Sequence, residues 1–178
     1  MKQIATFEKV SYEQFKKDIL EIMVEKYDNA YTEEMIENLY NKIKIPKRAT
    51  VGSAGYDFFL PVEITLPPQT TVKIPTGIRV RIDNGWVLKI YPRSGLGFKY
   101  RLQLDNTVGI IDSDYYDSDN EGHIFAKITN DSYSAKTLSL RDGDAFMQGI
   151  FVEYGITTDD SVNEIRNGGL GSTSININ

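Results

Sequence analysis

The sequence predicts a mainly β fold, an antiparallel sandwich, jelly roll or barrel, with a helical hairpin as an N-terminal extension. Three observations lead there. From Pro46 onward, short runs alternate apolar and polar residues with a period of two, the mark of half-buried strands. Pro67-Pro68, Pro75, Gly77, Asn84-Gly85 and Asp142-Gly143 punctuate these runs, and no helical pattern intervenes to carry a parallel crossover. Over residues 10–45, by contrast, apolar residues recur at helical spacing.

The elements follow in order. Ser11 is placed to cap a first helix whose apolar face is Phe15, Ile19, Ile22 and Met23. Asp28-Asn-Ala reads as the turn, and Thr32 caps a second helix with Met35, Ile36, Leu39, Tyr40 and Ile43 on one side, ended by Pro46. Such a hairpin packs on the β domain or at a subunit contact, or else serves as a partner-binding appendage. Strands are expected at Thr71-Val-Lys-Ile, Ile78–Ile82, Trp86–Ile90, Ile124–Ile128 and around Phe146–Phe151. From Thr157 the chain turns polar and Gly-rich, a mobile tail rather than another strand. The expected organisation is residues 1–45 as helical extension, 46–156 as β domain and 157–178 as C-terminal arm.

Composition removes several function classes. A length of 178 residues suits one domain, and a net charge of −5 provides no basic footprint for nucleic acid or an anionic membrane surface. Without cysteine there are no disulfides or thiolate chemistry, in keeping with a cytoplasmic setting. No long apolar run suggests a signal peptide or membrane span. The single histidine, His123, excludes a multi-His metal site, argues against a His-based triad and reads by default as a surface or loop residue.

Five loop-type motifs carry chemistry. In Pro92-Arg-Ser-Gly95 a proline fixes a turn, Gly95 permits close backbone approach, and Arg93 and Ser94 offer donors to phosphate; a plain turn is the alternative. Arg166-Asn-Gly-Gly-Leu-Gly-Ser-Thr173 supplies backbone N–H groups and side-chain donors, or is simply a flexible tail. Asp112, in Gly109-Ile-Ile-Asp-Ser-Asp-Tyr115, either deprotonates a water or caps a turn, and Tyr115 either stacks on a sugar or fills core. Asp57, in Ala54-Gly-Tyr-Asp57, is a turn residue or a partner for a hydrated cation. Gln148, among large apolar residues, faces solvent or reaches into a site.

Together these segments, from Ala54 to Thr173, resemble the five ordered motifs of the homotrimeric dUTPase family, in its Gram-positive and phage-like branch. The resemblance implies a distorted jelly-roll or β-barrel and Mg²⁺-dependent hydrolysis of dUTP to dUMP and pyrophosphate, limiting uracil incorporation into DNA and supplying dUMP. It implies that Asp112 activates the water attacking the α-phosphorus. Asn106 and the backbone at Ile110 and Ile111 would read uracil, and Tyr115 would pack on the deoxyribose. Arg93, Ser94, Gly95 and Gln148 would hold phosphates, with Asp57 touching the metal's water shell. Arg166, Gly169, Leu170 and Ser172 would close over the γ-phosphate and base. It further implies a homotrimer with sites between subunits. A dCTP deaminase-like enzyme and a non-catalytic binding protein of this fold are the alternatives, and a protein partner at residues 10–45 stays open. Four departures stand out: residues 116–121 form an acidic insertion before Gly122, expected to be a solvated loop with a lid as the alternative. Ala145 and Met147 depart in the fourth motif. Leu170 replaces the phenylalanine over uracil, with Arg166 one residue nearer the glycine pair. The helical extension lies outside the common domain.

Overall fold

The elements of this computed structural model, which describes residues 2–24, 30–164 and 166, form where local sequence dictates them. After strand β1 (Ala5–Lys9), Ser11 caps helix α1 (Tyr12–Ile19), its side chain accepting from the Gln14 N–H at 3.1 Å. A π-helical turn, Leu20–Val24, prolongs α1. Thr32 caps α2 (Glu33–Lys42) through the Met35 N–H. The turn expected at residues 28–30 falls largely outside the described residues.

The β elements are β2 (Lys47–Arg48), β3 (Tyr56–Phe59), β4 (Ile64–Leu66), β5 (Thr70–Pro75), β6 (Ile78–Ile82), β7 (Trp86–Pro92), β8 (Leu102–Leu104), β9 (Gly109–Ile111), β10 (Phe125–Asn130), β11 (Leu138–Leu140) and β12 (Ala145–Glu153). Helix α3 (Ser94–Tyr100) follows β7, and a 3₁₀ turn, Ser113–Asp117, follows β9. Pairing is antiparallel: a five-stranded sheet in the order β2-β3-β12-β7-β9, a three-stranded sheet β5-β10-β8, and the pairs β1-β6 and β4-β11. In β6 the residues Ile78, Val80 and Ile82 point inward and Arg79 and Arg81 outward, as the period-two pattern requires.

The expected mainly β architecture with an N-terminal helical part is what forms. The helices share the core rather than cover it: Phe15, Ile19, Ile22, Met23 and Ile36 join Phe58, Ile74, Leu88, Ile128 and Phe146 in one buried cluster. Strand β1 pairs with β6 from Ala5↔Ile82 to Lys9↔Ile78, and Phe7 packs edge-on against Phe58 at 5.5 Å. Among the described residues no helix is long and apolar enough to cross a membrane.

Candidate active site

One sheet carries four of the five motifs on adjacent strands. β12 lies in its middle, so Gln148 is flanked by Asp57 of β3 and Tyr91 of β7. Beyond Pro92, Arg93 turns back and its Nε lies 3.2 Å from Asp57 Oδ1. Gln148 Nε2 donates to the Pro92 carbonyl at 3.4 Å, and a Cβ at Gly55 would come within 2.9 Å of Gln148 Oε1, so a larger residue there would displace that amide. Arg93, Ser94 and Gly95 are exposed, and a Cβ at Gly95 would meet no protein atom. The first group of predicted residues, Asp57, Arg93, Ser94, Gly95 and Gln148, therefore forms a cationic, donor-rich rim suited to an anion.

The second group sits around β9. Asn106 projects from a turn in which Thr107, a β-branched residue, is held at φ 62°, a strained conformation for such a side chain. Gly109 approaches Ile90 so closely that a Cβ would stand 3.1 Å from the Ile90 Cβ. A cavity of about 40 Å³ opens among Asn106, Gly109, Ile110, Ile111, Tyr115 and Phe125. Tyr115 is 5% exposed, and its hydroxyl donates to the His123 carbonyl at 2.7 Å and accepts from Asn120 Nδ2 at 2.9 Å. Burial pushes its phenol up, only partly offset by the Asn120 hydrogen bond. Asp112 opens the 3₁₀ turn yet makes no side-chain bond to it. Instead Arg166 bridges two carboxylates, Nη2 to Asp112 Oδ2 at 2.7 Å and Nε to Asp114 Oδ1 at 3.0 Å. Gly169, Leu170 and Ser172 lie outside the described residues.

The two groups stand apart within the chain. Ile111 pairs with Leu88, which places Asp112 near the start of β7, whereas Arg93 follows its end. Asp112 is level with Val87, and the six residues of extended chain from there to Arg93, at about 3.3 Å each, span roughly 20 Å. At the rim the Asp57 carboxylate lies beside Arg93, and among the described residues no group of three or more His, Cys, Asp or Glu is placed to hold a metal ion.

Two expectations are corrected. His123 is neither at the surface nor in a solvated loop: it is fully buried, with Nδ1 2.5 Å from Asp18 Oδ2 and Nε2 accepting the Gly77 N–H at 2.7 Å. Nor is the acidic insertion wholly a solvated loop, although Asp117 and Asp119 stay exposed. Tyr116 is buried, its hydroxyl bonded to Glu8 Oε2 and its ring covered by the Arg79 and Arg81 guanidiniums, while Glu121 takes both the amide and hydroxyl of Ser11. Two cross-links tie the insertion to the N-terminal segment: Tyr116 donates to Glu8, and Glu121 accepts from Ser11. Asp18, Asn120 and Glu121 were missed as site-supporting residues, and no local pattern marks them.

The sequence matches the dUTPase family over residues 41–174. The deoxyuridine 5'-triphosphate nucleotidohydrolase of Lactococcus lactis subsp. lactis (strain IL1403) is 39% identical over 134 residues, 74% of this chain and 88% of that protein. The crystal structure of dUTPase from Streptococcus mutans, 31% identical, matches with a TM-score of 0.60 over 85% of this chain and 97% of its own. A mutant dUTPase from phage phi11 of S. aureus, described with a structural Mg(II) ion, has the same fold at a TM-score of 0.57 and 24% identity, covering 69% of this chain and 92% of its own.

Proposed function

Because this chain belongs to the dUTPase family and its activity is hydrolysis of dUTP, we propose that its two residue groups complete one another across a subunit contact of a homotrimer. The observation that carries this is their separation along β7: one chain cannot apply Arg93 and Asp112 to a single nucleotide reaching from base to phosphates without a neighbour. The rim of Arg93, Ser94, the Gly95 N–H and Gln148 binds and orients the triphosphate by charge-assisted and neutral hydrogen bonds. The backbone at Ile110 and Ile111, with Asn106, reads the uracil edge at the mouth of the apolar cavity. Tyr115 closes the cavity where the sugar lies, leaving no space for a ribose 2′-hydroxyl.

Asp112 then holds a water in line with the α-phosphorus and takes its proton as the new P–O bond forms. The bond from the α-phosphorus to the bridging oxygen breaks, and pyrophosphate leaves with the electron pair. Arg93 and Gln148 stabilise the charge that gathers on the departing oxygens. Arg166 bridges Asp112 and Asp114 in this structure, so it must swing away from Asp112 as the water arrives. Asp57 lies at the rim beside Arg93, where it would order the water shell of an Mg²⁺ ion carried by the triphosphate. Such an ion, when bound, neutralises phosphate charge. The nucleotide pool of the cytoplasm is the place for this reaction.

Mixing two inactive variants tests the arrangement. Arg93→Ala and Asp112→Asn, unfolded together and reassembled in equal amounts, form hybrid contacts with one intact site set. Random assortment restores about a quarter of the wild-type activity if each site draws its two groups from different subunits. Activity no greater than the sum of the separately treated variants refutes the shared site.

A further inference from the structure

The N-terminal helix forms the back support of the nucleotide pocket, through a buried pair that the catalytic scheme above does not use. Tyr115 is fixed by its hydroxyl, and both of its partners, Asn120 and the His123 carbonyl, belong to the segment just after the 3₁₀ turn. That segment is in turn bolted to α1. Glu121 accepts from the Ser11 N–H at 2.7 Å and the Ser11 hydroxyl at 2.6 Å. Two helical turns further on, on the same face, Asp18 Oδ2 meets His123 Nδ1 at 2.5 Å and also accepts from Gln14 Nε2 at 2.8 Å. The Gly77 amide can only donate, so His123 Nε2 is its acceptor and Nδ1 carries the proton given to Asp18. Every polar atom of the imidazole is thereby used, in a site closed by the Phe15 and Phe125 rings at 6.4 and 4.6 Å.

An Asp–His pair in a core is an expensive way to fill space, since apolar residues of similar volume stabilise at least as well. What it supplies is direction: the ring cannot rotate or slide without leaving Asp18 or the Gly77 N–H unpaired. We infer that Asp18 and His123 are positioning residues that fix the depth of Tyr115 in the cavity and so set discrimination between deoxyribose and ribose. This rests on Tyr115 being the sugar gauge. It also gives the extension and the insertion a shared task, because Asp18 comes from one and the residues leading to His123 from the other.

The measurement is the ratio of kcat/KM for dUTP to that for UTP, taken on one sample, so that any loss of folded protein cancels. Asp18→Ala and His123→Ala are expected to lower the ratio about tenfold by letting the ring retreat from the 2′ position. Asp18→Asn, whose amide oxygen still accepts the Nδ1 proton, is expected to keep it within about twofold. Lys16→Ala, on the solvent side of α1, leaves it at the wild-type value. Should His123→Ala fail to fold, Tyr115→Phe removes only the anchoring hydroxyl and carries the same expectation. An unchanged ratio in Asp18→Ala and in Tyr115→Phe overturns the inference, provided Tyr115→Ala lowers it. An unchanged ratio in Tyr115→Ala refutes instead the sugar-gauge reading, and the inference falls with it.

Discussion

Replacing Phe15 by alanine separates a helix that completes the core from one that merely lies on it. Phe15 is fully buried, with the Tyr40 and His123 rings at 5.8 and 6.4 Å. Its Cδ2 stands 3.3 Å from where a Cβ on Gly77 would be. Gly77 has φ 74° and is paired through both backbone groups, its carbonyl to the Val10 N–H and its N–H to His123. That wall cannot move in to fill the void, so the loss belongs near the top of the range for Phe→Ala, about 3–5 kcal/mol. For a chain of this size each kcal/mol shifts Tm by about 2–4 °C, giving a drop of roughly 6–20 °C. Thermal unfolding followed by circular dichroism, at one fixed protein concentration, measures it. A drop below about 3 °C, or a separate early loss of helix with the β transition in place, would refute the shared core.

Three further outcomes follow from the same structure. Asp112→Asn should lower kcat for dUTP by about 10²–10⁴-fold with little change in KM, and full turnover in that variant would remove Asp112 as the base. Burial pushes the Glu121 carboxyl up, but the Ser11 hydroxyl and amide and the Arg79 charge outweigh it and leave its pKa below the ordinary 4.5. A lowered carboxylate stabilises fully above that ordinary value and loses its contribution as pH falls through the lower folded value. The Tm gap between wild type and Glu121→Gln should therefore be full well above pH 4.5 and close as pH falls below it; a gap that stays constant contradicts the clasp. Gly149→Ala drives a Cβ to 2.7 Å from Leu88 Cδ1 and 3.1 Å from Phe58 Cε2, both fully buried. It is expected to destabilise by about 1–3 kcal/mol in chemical denaturation, and neutrality would mean that the sheet is less closely packed than described.

What could be read from the sequence was what depends on near neighbours. Ser11 and Thr32 cap because their acceptors lie three residues away, and β6 alternates because its own side chains do. The motifs marked Arg93, Asp112 and Tyr115 as candidates, and the structure removes one alternative: Asp112 makes no side-chain bond to the turn it opens. Strand β1 escaped notice because five residues, Ala5–Lys9, earn their conformation from Ile78–Ile82 far along the chain. His123 was misplaced for the same reason: its partners Asp18 and Gly77 lie 105 and 46 residues away. The distance between Arg93 and Asp112 is likewise a property of strand register, which residue types do not encode.

The bolt between Ser11 and Glu121 spans 110 residues, and that has a consequence for how the protein is made. Helix α1 leaves the ribosome long before the segment that closes over it. At about 5–20 residues per second the wait is roughly 6–22 s, far longer than a helix takes to form and melt. During that time Phe15, Ile19 and Ile22 can meet Ile36, Phe58 and Ile74, but not Ile124, Ile128 or Phe146 of the same core. Helix α1 is thus made early and clasped late, and the segment that anchors Tyr115 is tied to it only when both ends of this long loop have met.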